Sequence, residues 1–121
     1  MILIFTGNKQ LDKELEQRLK NTRIVYYPDY VLEENEAKVL ITALQPNKYN
    51  FKEFMFKVRQ KNIRVILLLE NKKSKALTYA LILGIYDIIF DPFTIEDIES
   101  LVKSPKNFSS VSEYVKGLLN I

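Results

Sequence analysis

Residues 80–102, ALILGIYDIIFDPFTIEDIESLV, contain three secondary-structure signals in close succession. An apolar helical run ends at Gly84, where a helix C-terminus needs a left-handed backbone. The aliphatic run Ile85–Phe90 that follows has the length and composition of a strand. Thr94, three residues before an Asp, matches a helix capping box and predicts a further helix from Ile95 to Lys103. The stretch therefore predicts a helix, a strand and a second helix in close succession.

The same alternation of strand and helix extends along the chain. Five short runs of aliphatic or β-branched residues are mostly continuous rather than alternating, which is typical of strands buried on both faces of a parallel sheet. Apolar stripes at helical spacing separate these runs. The pattern predicts an α/β protein with a doubly wound parallel sheet and helices on both faces. The predicted strands are Ile2–Thr6, Arg23–Tyr27, Lys38–Ala43, Ile63–Leu69 and Ile85–Phe90.

An additional helix is predicted at the C-terminal end, in FSSVSEYVKGLLNI, residues 108–121. Ser110 and Glu113 match a second capping box, and an apolar stripe that includes Tyr114 follows. Gly117 weakens this helix, so we expect it to depend on packing. We divide the chain into a main domain of residues 1–104 and a helical extension of residues 105–121, which leads to a further domain if the parent protein is longer. A short or irregular helix is predicted at residues 29–36.

Composition excludes several classes of function. The 121 residues include no Cys and no His, which rules out disulfides, thiolate catalysis, imidazole acid–base chemistry and the usual zinc sites. No apolar run approaches the roughly 20 residues of a membrane span, so we expect a cytoplasmic protein without a membrane partner. The net charge of +3 is scattered along the chain, and nucleic acid is therefore not an expected partner.

The segment from Leu83 to Phe93 resembles the end of a response-regulator receiver domain, the CheY-like fold. In that family a helix ends in Leu-Gly, a short fifth strand follows, and a Lys-Pro-Phe turn leads into the last helix. The order of elements matches over about residues 1–103. The resemblance implies a flavodoxin-like, three-layer fold with a five-stranded parallel sheet in the strand order 2-1-3-4-5, to which the C-terminal helix is added.

The resemblance also implies where a receiver's phosphorylation site would lie. Receivers hold Mg²⁺ with two acids after the first strand, phosphorylate an Asp that ends the third strand, and contact the phosphoryl group through a fourth-strand hydroxyl and a fifth-strand Lys. None of these groups is present at the matching positions, which are Thr6 and Gly7, Thr42, Leu69 and Asp91. The chain is therefore predicted to be a pseudo-receiver that has no catalytic residue, metal or cofactor and is not an enzyme.

Three other features of the sequence have ordinary structural explanations that are favoured over a binding site. TGNKQ, residues 6–10, favours a plain strand-to-helix turn over an anion site, because it lacks the spacing of a phosphate loop. The acids Asp29, Glu70 and Asp91 are better explained as solvated loop residues than as ligands of a hard metal ion. They are equally explained as ion-pair partners of Lys72 and Lys73. The basic run ENKKSK, residues 70–75, favours a solvated helix end over a site for phosphate or an acidic partner.

The predicted function is protein contact, with a second copy or with another protein. We expect the surface that receivers use for dimerisation, formed by the fourth helix, fifth strand and fifth helix and marked here by Tyr79, Tyr86 and Ile88. The added helix around Tyr114 either joins that surface or covers it. The chain also resembles the receiver-like N-terminal domains of ParA/MinD-type ATPases in pilus assembly and conjugative elements, the CpaE/TadZ group. The alternative is a signalling receiver that responds to phosphorylation or binds a small ligand at the carboxyl ends of the strands.

Overall fold

The structure, a computed structural model, describes residues 1–46 and 48–121. These residues form a five-stranded parallel sheet, with neighbouring strands in the order 2-1-3-4-5. The strand order implied by the receiver resemblance is therefore confirmed. The strands are β1 (Ile2–Phe5), β2 (Thr22–Ile24), β3 (Val39–Ala43), β4 (Arg64–Leu69) and β5 (Asp87–Phe90).

Helices cover both faces of the sheet. They are α1 (Lys9–Arg18), α2 (Pro28–Glu33), α3 (Phe51–Gln60), α4 (Lys75–Ile82), α5 (Ile95–Lys103) and α6 (Phe108–Leu119). Successive side chains of a strand point to opposite faces, so Leu40 packs in the cluster with α2, α3 and α4, while Ile41 packs with α1 and α5. Both residues are fully buried, which explains why β3 is apolar at consecutive positions.

The turns around β5 match the predictions made from residues 80–102. Gly84 has a φ of +74°, and the two N–H groups that close the helix end bond the carbonyl oxygens of Leu81 and Ala80. At the start of α5, Thr94 and Asp97 exchange side-chain and backbone hydrogen bonds of 3.1 and 2.9 Å. The capping box at Thr94 is therefore confirmed, and α5 has the predicted bounds.

The second predicted capping box, at Ser110 and Glu113, is wrong. α6 begins at Phe108 with Asn107 as its N-cap, so Ser110 lies inside the first turn. The side-chain oxygen of Asn107 accepts hydrogen bonds from the hydroxyls of Ser109 and Ser110 instead of capping a backbone N–H. Phe108 packs against Tyr86, with 6.1 Å between ring centroids, and this contact accompanies a helix start that the capping pattern did not predict.

α6 lies beside β5, the last strand of the sheet. Val111 is buried in the core, the ring of Tyr114 meets that of Phe90 edge to face, and the Nζ atom of Lys106 donates to the carbonyl oxygen of Ile88 at 3.2 Å. Edge strands expose unpaired backbone groups that attract other strands. Lys106, in the segment before α6, occupies one of these groups. α6 itself packs on side chains of β5 and leaves a concavity of about 510 Å³ between β5, α5 and α6.

Asp87, the first residue of β5, ties this region together. One carboxylate oxygen accepts a hydrogen bond from Arg64 Nε at 2.7 Å, and the other accepts one from the backbone N–H of Lys106 at 2.7 Å. Arg64 also donates to the carbonyl oxygens of Leu101 and Val102. One ion pair thus joins β4, β5, the end of α5 and the segment that leads into α6.

We predict that Asp87→Ala lowers the free energy of unfolding by about 3 kcal/mol, because it leaves a half-buried guanidinium without its carboxylate. The measurement is urea-induced unfolding followed by circular dichroism. Arg18→Ala, which removes exposed contacts to Glu96 and Glu99, is the control and should cost less than about 1 kcal/mol. Equal losses for the two variants would contradict the role given to Asp87.

We predict that Gly117→Ala raises the free energy of unfolding by about 0.5–1 kcal/mol, because alanine is the better helix former. A Cβ at this position meets no atom within 4 Å, so no clash offsets the gain. The measurement is again urea unfolding. Gly84→Ala is the matched control and should be destabilising, because residue 84 has a positive φ.

Candidate functional site

The candidate site is a cleft of about 440 Å³ at the carboxyl ends of the strands. This is where open α/β sheets place ligands and chemistry. Thr6, Leu69 and Asp91, three of the positions implied by the receiver resemblance, line the cleft. Gly7 and Thr42 are not among its lining residues.

Thr42, which matches the phosphoacceptor position, has its hydroxyl occupied inside the sheet. The side chain is fully buried, and its Oγ1 donates to the carbonyl oxygen of Phe5 at 2.7 Å. The next residues, Ala43 and Leu44, are the ones that line the cleft. A shift of the match by one or two residues therefore still places no nucleophile at the end of β3.

Gln45 fills the space beside Gly7. Its amide donates to the carbonyl oxygen of Phe5 at 3.3 Å, and a Cβ built on Gly7 would lie 2.6 Å from its side-chain oxygen. Gly7 also has a φ of +79°. A side chain at residue 7 would need a strained backbone and the removal of Gln45, so this glycine is required by packing and turn geometry.

The turn after β1 is held by a buried carboxylate. Thr6 donates its hydroxyl hydrogen to Asp12, which lies in the first turn of α1 and is only 3% exposed. The Thr6 oxygen in turn accepts the N–H of Asn8, whose own side chain caps α1. Burial raises the pKa of Asp12 above its ordinary value, although the hydrogen bonds from Thr6 act in the opposite direction. TGNKQ is thus a hydrogen-bonded strand-to-helix turn.

The acids near the cleft do not suit the Mg²⁺ that receivers bind. Glu70 and Asp91 line it and are both exposed, while Asp29 lies in α2 and does not reach it. The rest of the lining consists of apolar, amide, hydroxyl and lysine side chains, and Mg²⁺ favours carboxylate and water oxygens. Within the described residues, no three Asp or Glu are grouped to hold a metal ion.

Two residues that the sequence did not single out, Gln45 and Tyr49, pack behind the end of β3 without lining the cleft. Gln45 has no local signal beyond its place before Pro46. The Tyr49 hydroxyl donates to the carbonyl oxygen of Ala43 at 3.3 Å, and its ring packs on Phe5 and Phe54. Burial raises the pKa of this hydroxyl above its ordinary value, so Tyr49 stays a neutral donor. Both residues close the end of β3 rather than offering reactive groups.

The basic run at residues 70–75 forms the loop before α4. Ser74 caps this helix through a hydrogen bond from the N–H of Ala76, and Asn71 accepts the N–H of Lys73. The Nζ atom of Lys72 lies 5.7 Å from the centre of the Tyr114 ring. The loop therefore contacts α6, and its lysines stand between the cleft and the added helix.

The four residues proposed for an interaction surface fall into two places. Ile88 is only 4% exposed, Tyr86 packs on Phe108, and Tyr114 packs on Phe90, so three of them lie under or within the contact between β5 and α6. Tyr79 lies elsewhere on α4, with Lys52 of α3 5.0 Å from its ring centre. With α6 in this position, Ile88 is not available to a partner.

Solved response-regulator structures have the same fold as this chain. The response regulator DrrB of Thermotoga maritima, an OmpR/PhoB homologue, is 21% identical with a TM-score of 0.69, and the match covers 84% of this chain and 50% of DrrB. The chain thus spans about half of full-length DrrB, but 92% of a structure of its BeF₃-activated receiver domain. A two-component response regulator from Clostridium difficile matches at 16% identity and a TM-score of 0.71, over 85% of this chain and 92% of that one.

A second kind of neighbour is a putative CpaE2 pilus assembly protein from Sinorhizobium meliloti. It is 9% identical with a TM-score of 0.59, and the match covers 84% of this chain and 96% of that one. No protein-family model matches the sequence, and no curated protein does. Similarities at this level of identity establish the CheY-like, flavodoxin-like fold and leave the function to the residues.

We predict that Asp12→Asn changes how stability depends on pH. The pKa of Asp12 is raised in the folded protein. Its favourable contribution to the free energy of unfolding is therefore complete at pH values below its ordinary pKa of 3.8 and is lost as pH rises through the folded-state pKa. The variant should therefore be at least as stable as the wild type at neutral pH. As pH falls, its free energy of unfolding should decrease relative to that of the wild type. Urea unfolding at several pH values measures the difference.

Glu96→Gln is the control of opposite sign for this experiment. A hydrogen bond from the residue's own backbone, followed by one from Arg18, lowers the pKa of Glu96. The contribution of Glu96 to the free energy of unfolding is present at pH values above its ordinary pKa, and it disappears as pH falls through the folded-state pKa. If stability changed with pH in the same direction in both variants, the raised pKa of Asp12 would be refuted.

Proposed function

We propose that this chain is a non-catalytic pseudo-receiver, a domain with the receiver fold that acts through protein contact. The observation that carries the proposal is the end of β3, where Thr42 is buried and bonded to the backbone of β1. Phosphoryl transfer to a receiver needs an exposed carboxylate there, beside a metal ion. We accordingly propose that the chain is not an enzyme and needs no cofactor.

The other positions of the cleft support the same proposal. The Thr6 hydroxyl donates to Asp12, Leu69 offers only carbon atoms, and Asp91 puts a negative charge where a receiver has a lysine. A carboxylate at that place repels a phosphoryl group rather than pairing with it. At the positions matched to the receiver pattern, the cleft thus lacks the nucleophile, the two metal-binding acids and the lysine. Lys73 lines it from the loop before α4 instead.

The added helix supports a role for the surface. α6 packs beside the strand that receivers use to dimerise, with Phe108 on Tyr86 and Tyr114 on Phe90, so a partner that binds in this region would contact α6 as well. We keep the division into residues 1–104 and 105–121 as a proposal, with the extension packed on the domain through Asp87 and Lys106. The partner is either a second copy or a different protein.

A role in locating a linked ATPase for pilus assembly or conjugation is the more specific form of the proposal. Its support is the likeness in fold to the CpaE2 protein and the presence of a helix after the fifth receiver helix. We propose a cytoplasmic location on the same grounds. None of the helices in the described residues is long and apolar enough to cross a membrane. Sequencing the gene beyond the codon for Ile121 tests whether an ATPase domain follows.

We predict that the chain takes up no phosphoryl group when it is incubated with Mg²⁺ and acetyl phosphate. Intact-mass spectrometry measures the product, and a receiver that has its phosphoacceptor Asp is the positive control. A phosphoryl adduct on any carboxylate of this chain, recognised by its release with hydroxylamine, would refute the pseudo-receiver and favour the signalling alternative. Binding of acetyl phosphate without transfer, seen by calorimetry, would favour a small-ligand module in the 440 Å³ cleft.

A further inference from the structure

A second concavity, the α4–α6 groove, lies between the fourth helix and the added helix. Its volume is about 430 Å³, and its apolar lining comes from Leu77, Leu81 and Leu118. Leu118 is 51% exposed although it lies on an apolar stripe of α6. The groove exists only because α6 packs against β5, so it is a feature of this chain rather than of the receiver framework.

Gly117 lies in the wall of the groove. A Cβ built on this residue meets no atom within 4 Å, so packing inside the chain does not require a glycine. A helix-destabilising residue therefore stands in the wall of an unfilled apolar groove, where the missing side chain lets another backbone approach. Leu119 and Ile121 continue the exposed apolar surface past the end of the groove, at 63% and 77% exposure.

The rim of the groove is basic. Lys72, Lys73 and Lys75 line it, and Glu113 is the single carboxylate among the described residues that do so. None of the three lysines takes part in the ion pairs found within residues 1–46 and 48–121. An apolar floor with a rim of unpaired cations is complementary to a segment with an apolar face and acidic flanks.

We infer that the α4–α6 groove binds an acidic amphipathic helix of a partner protein, an inference that rests on the proposed role in protein contact. The partner's apolar side chains, spaced by three or four residues, lie on Leu77, Leu81 and Leu118, and its Asp or Glu side chains face the lysines. A two-fold contact between identical grooves would bring the lysines of both copies together, and this like-charge repulsion disfavours a second copy as the occupant.

The test is a binding titration with a fluorescently labelled helical peptide that has leucines at every third or fourth position and glutamates on both flanks. A peptide with the same leucines and lysines in place of the glutamates is the matched probe. We expect the acidic peptide to bind about tenfold or more tightly than the basic one. Its binding should weaken as salt rises, because the charges involved are exposed.

Two variants locate the binding surface. Lys73→Gln with Lys75→Gln should weaken the acidic peptide about tenfold, and Leu118→Ser, at an exposed position, should weaken it by a similar factor. Lys9→Gln with Lys13→Gln is the control, since it removes two exposed lysines from α1 on the opposite face of the sheet. Circular dichroism establishes that each variant is folded before it is titrated.

Several outcomes would overturn the inference: no binding of the acidic peptide, equal affinity for both peptides, or equal losses in the groove and control variants. Light scattering over a range of concentrations adds one more, since a dimer that Leu118→Ser dissociates would assign the groove to a second copy. Phosphorylation by acetyl phosphate would instead refute the proposed function. The two failures therefore have different readouts.

Discussion

The buried carboxylate of Asp87 is the interaction on which the arrangement of the last third of the chain depends. It neutralises Arg64, and its second oxygen holds the backbone of Lys106 where the chain leaves α5. Because Arg64 also bonds the last carbonyl groups of α5, the end of that helix and the start of α6 are positioned from the same point. The direction of the chain at the start of α6 is thereby restricted, and α6 packs beside β5.

This arrangement changes what the fold offers to other molecules. In a receiver, the cleft at the strand ends carries the chemistry and the last strand with its helices carries the contacts. Here the Thr6 hydroxyl in the cleft is bonded to Asp12 and that of Ser74 caps α4, while Thr42 lies buried between β3 and β1. α6 packs beside β5, and a groove with a basic rim lies between α4 and α6. The added helix thus forms a surface that the five-helix framework alone lacks.

The elements of the fold were predictable because each is encoded locally. Gly84 supplies the left-handed residue that a helix end requires, and Thr94 caps the next helix through a neighbour three residues away. The cap of α6 was not predictable in the same way. The capping pattern at Ser110 is local, but the helix starts at Phe108. The ring of Phe108 packs against Tyr86, the residue just before β5. Tertiary packing and a local preference competed there, and packing prevailed.

The sequence by itself determined the layered α/β fold, the strand order through its resemblance to receivers, and the absence of acids at the ends of the first and third strands. Those features depend on residue type and spacing along the chain. Long-range packing alone fixed the burial of Asp12 and Ile88, and it placed Lys72, Lys73 and Lys75 around the same groove as a glycine and a leucine more than 40 residues away. Contacts between distant segments depend on how helices pack, and no short-range pattern records that.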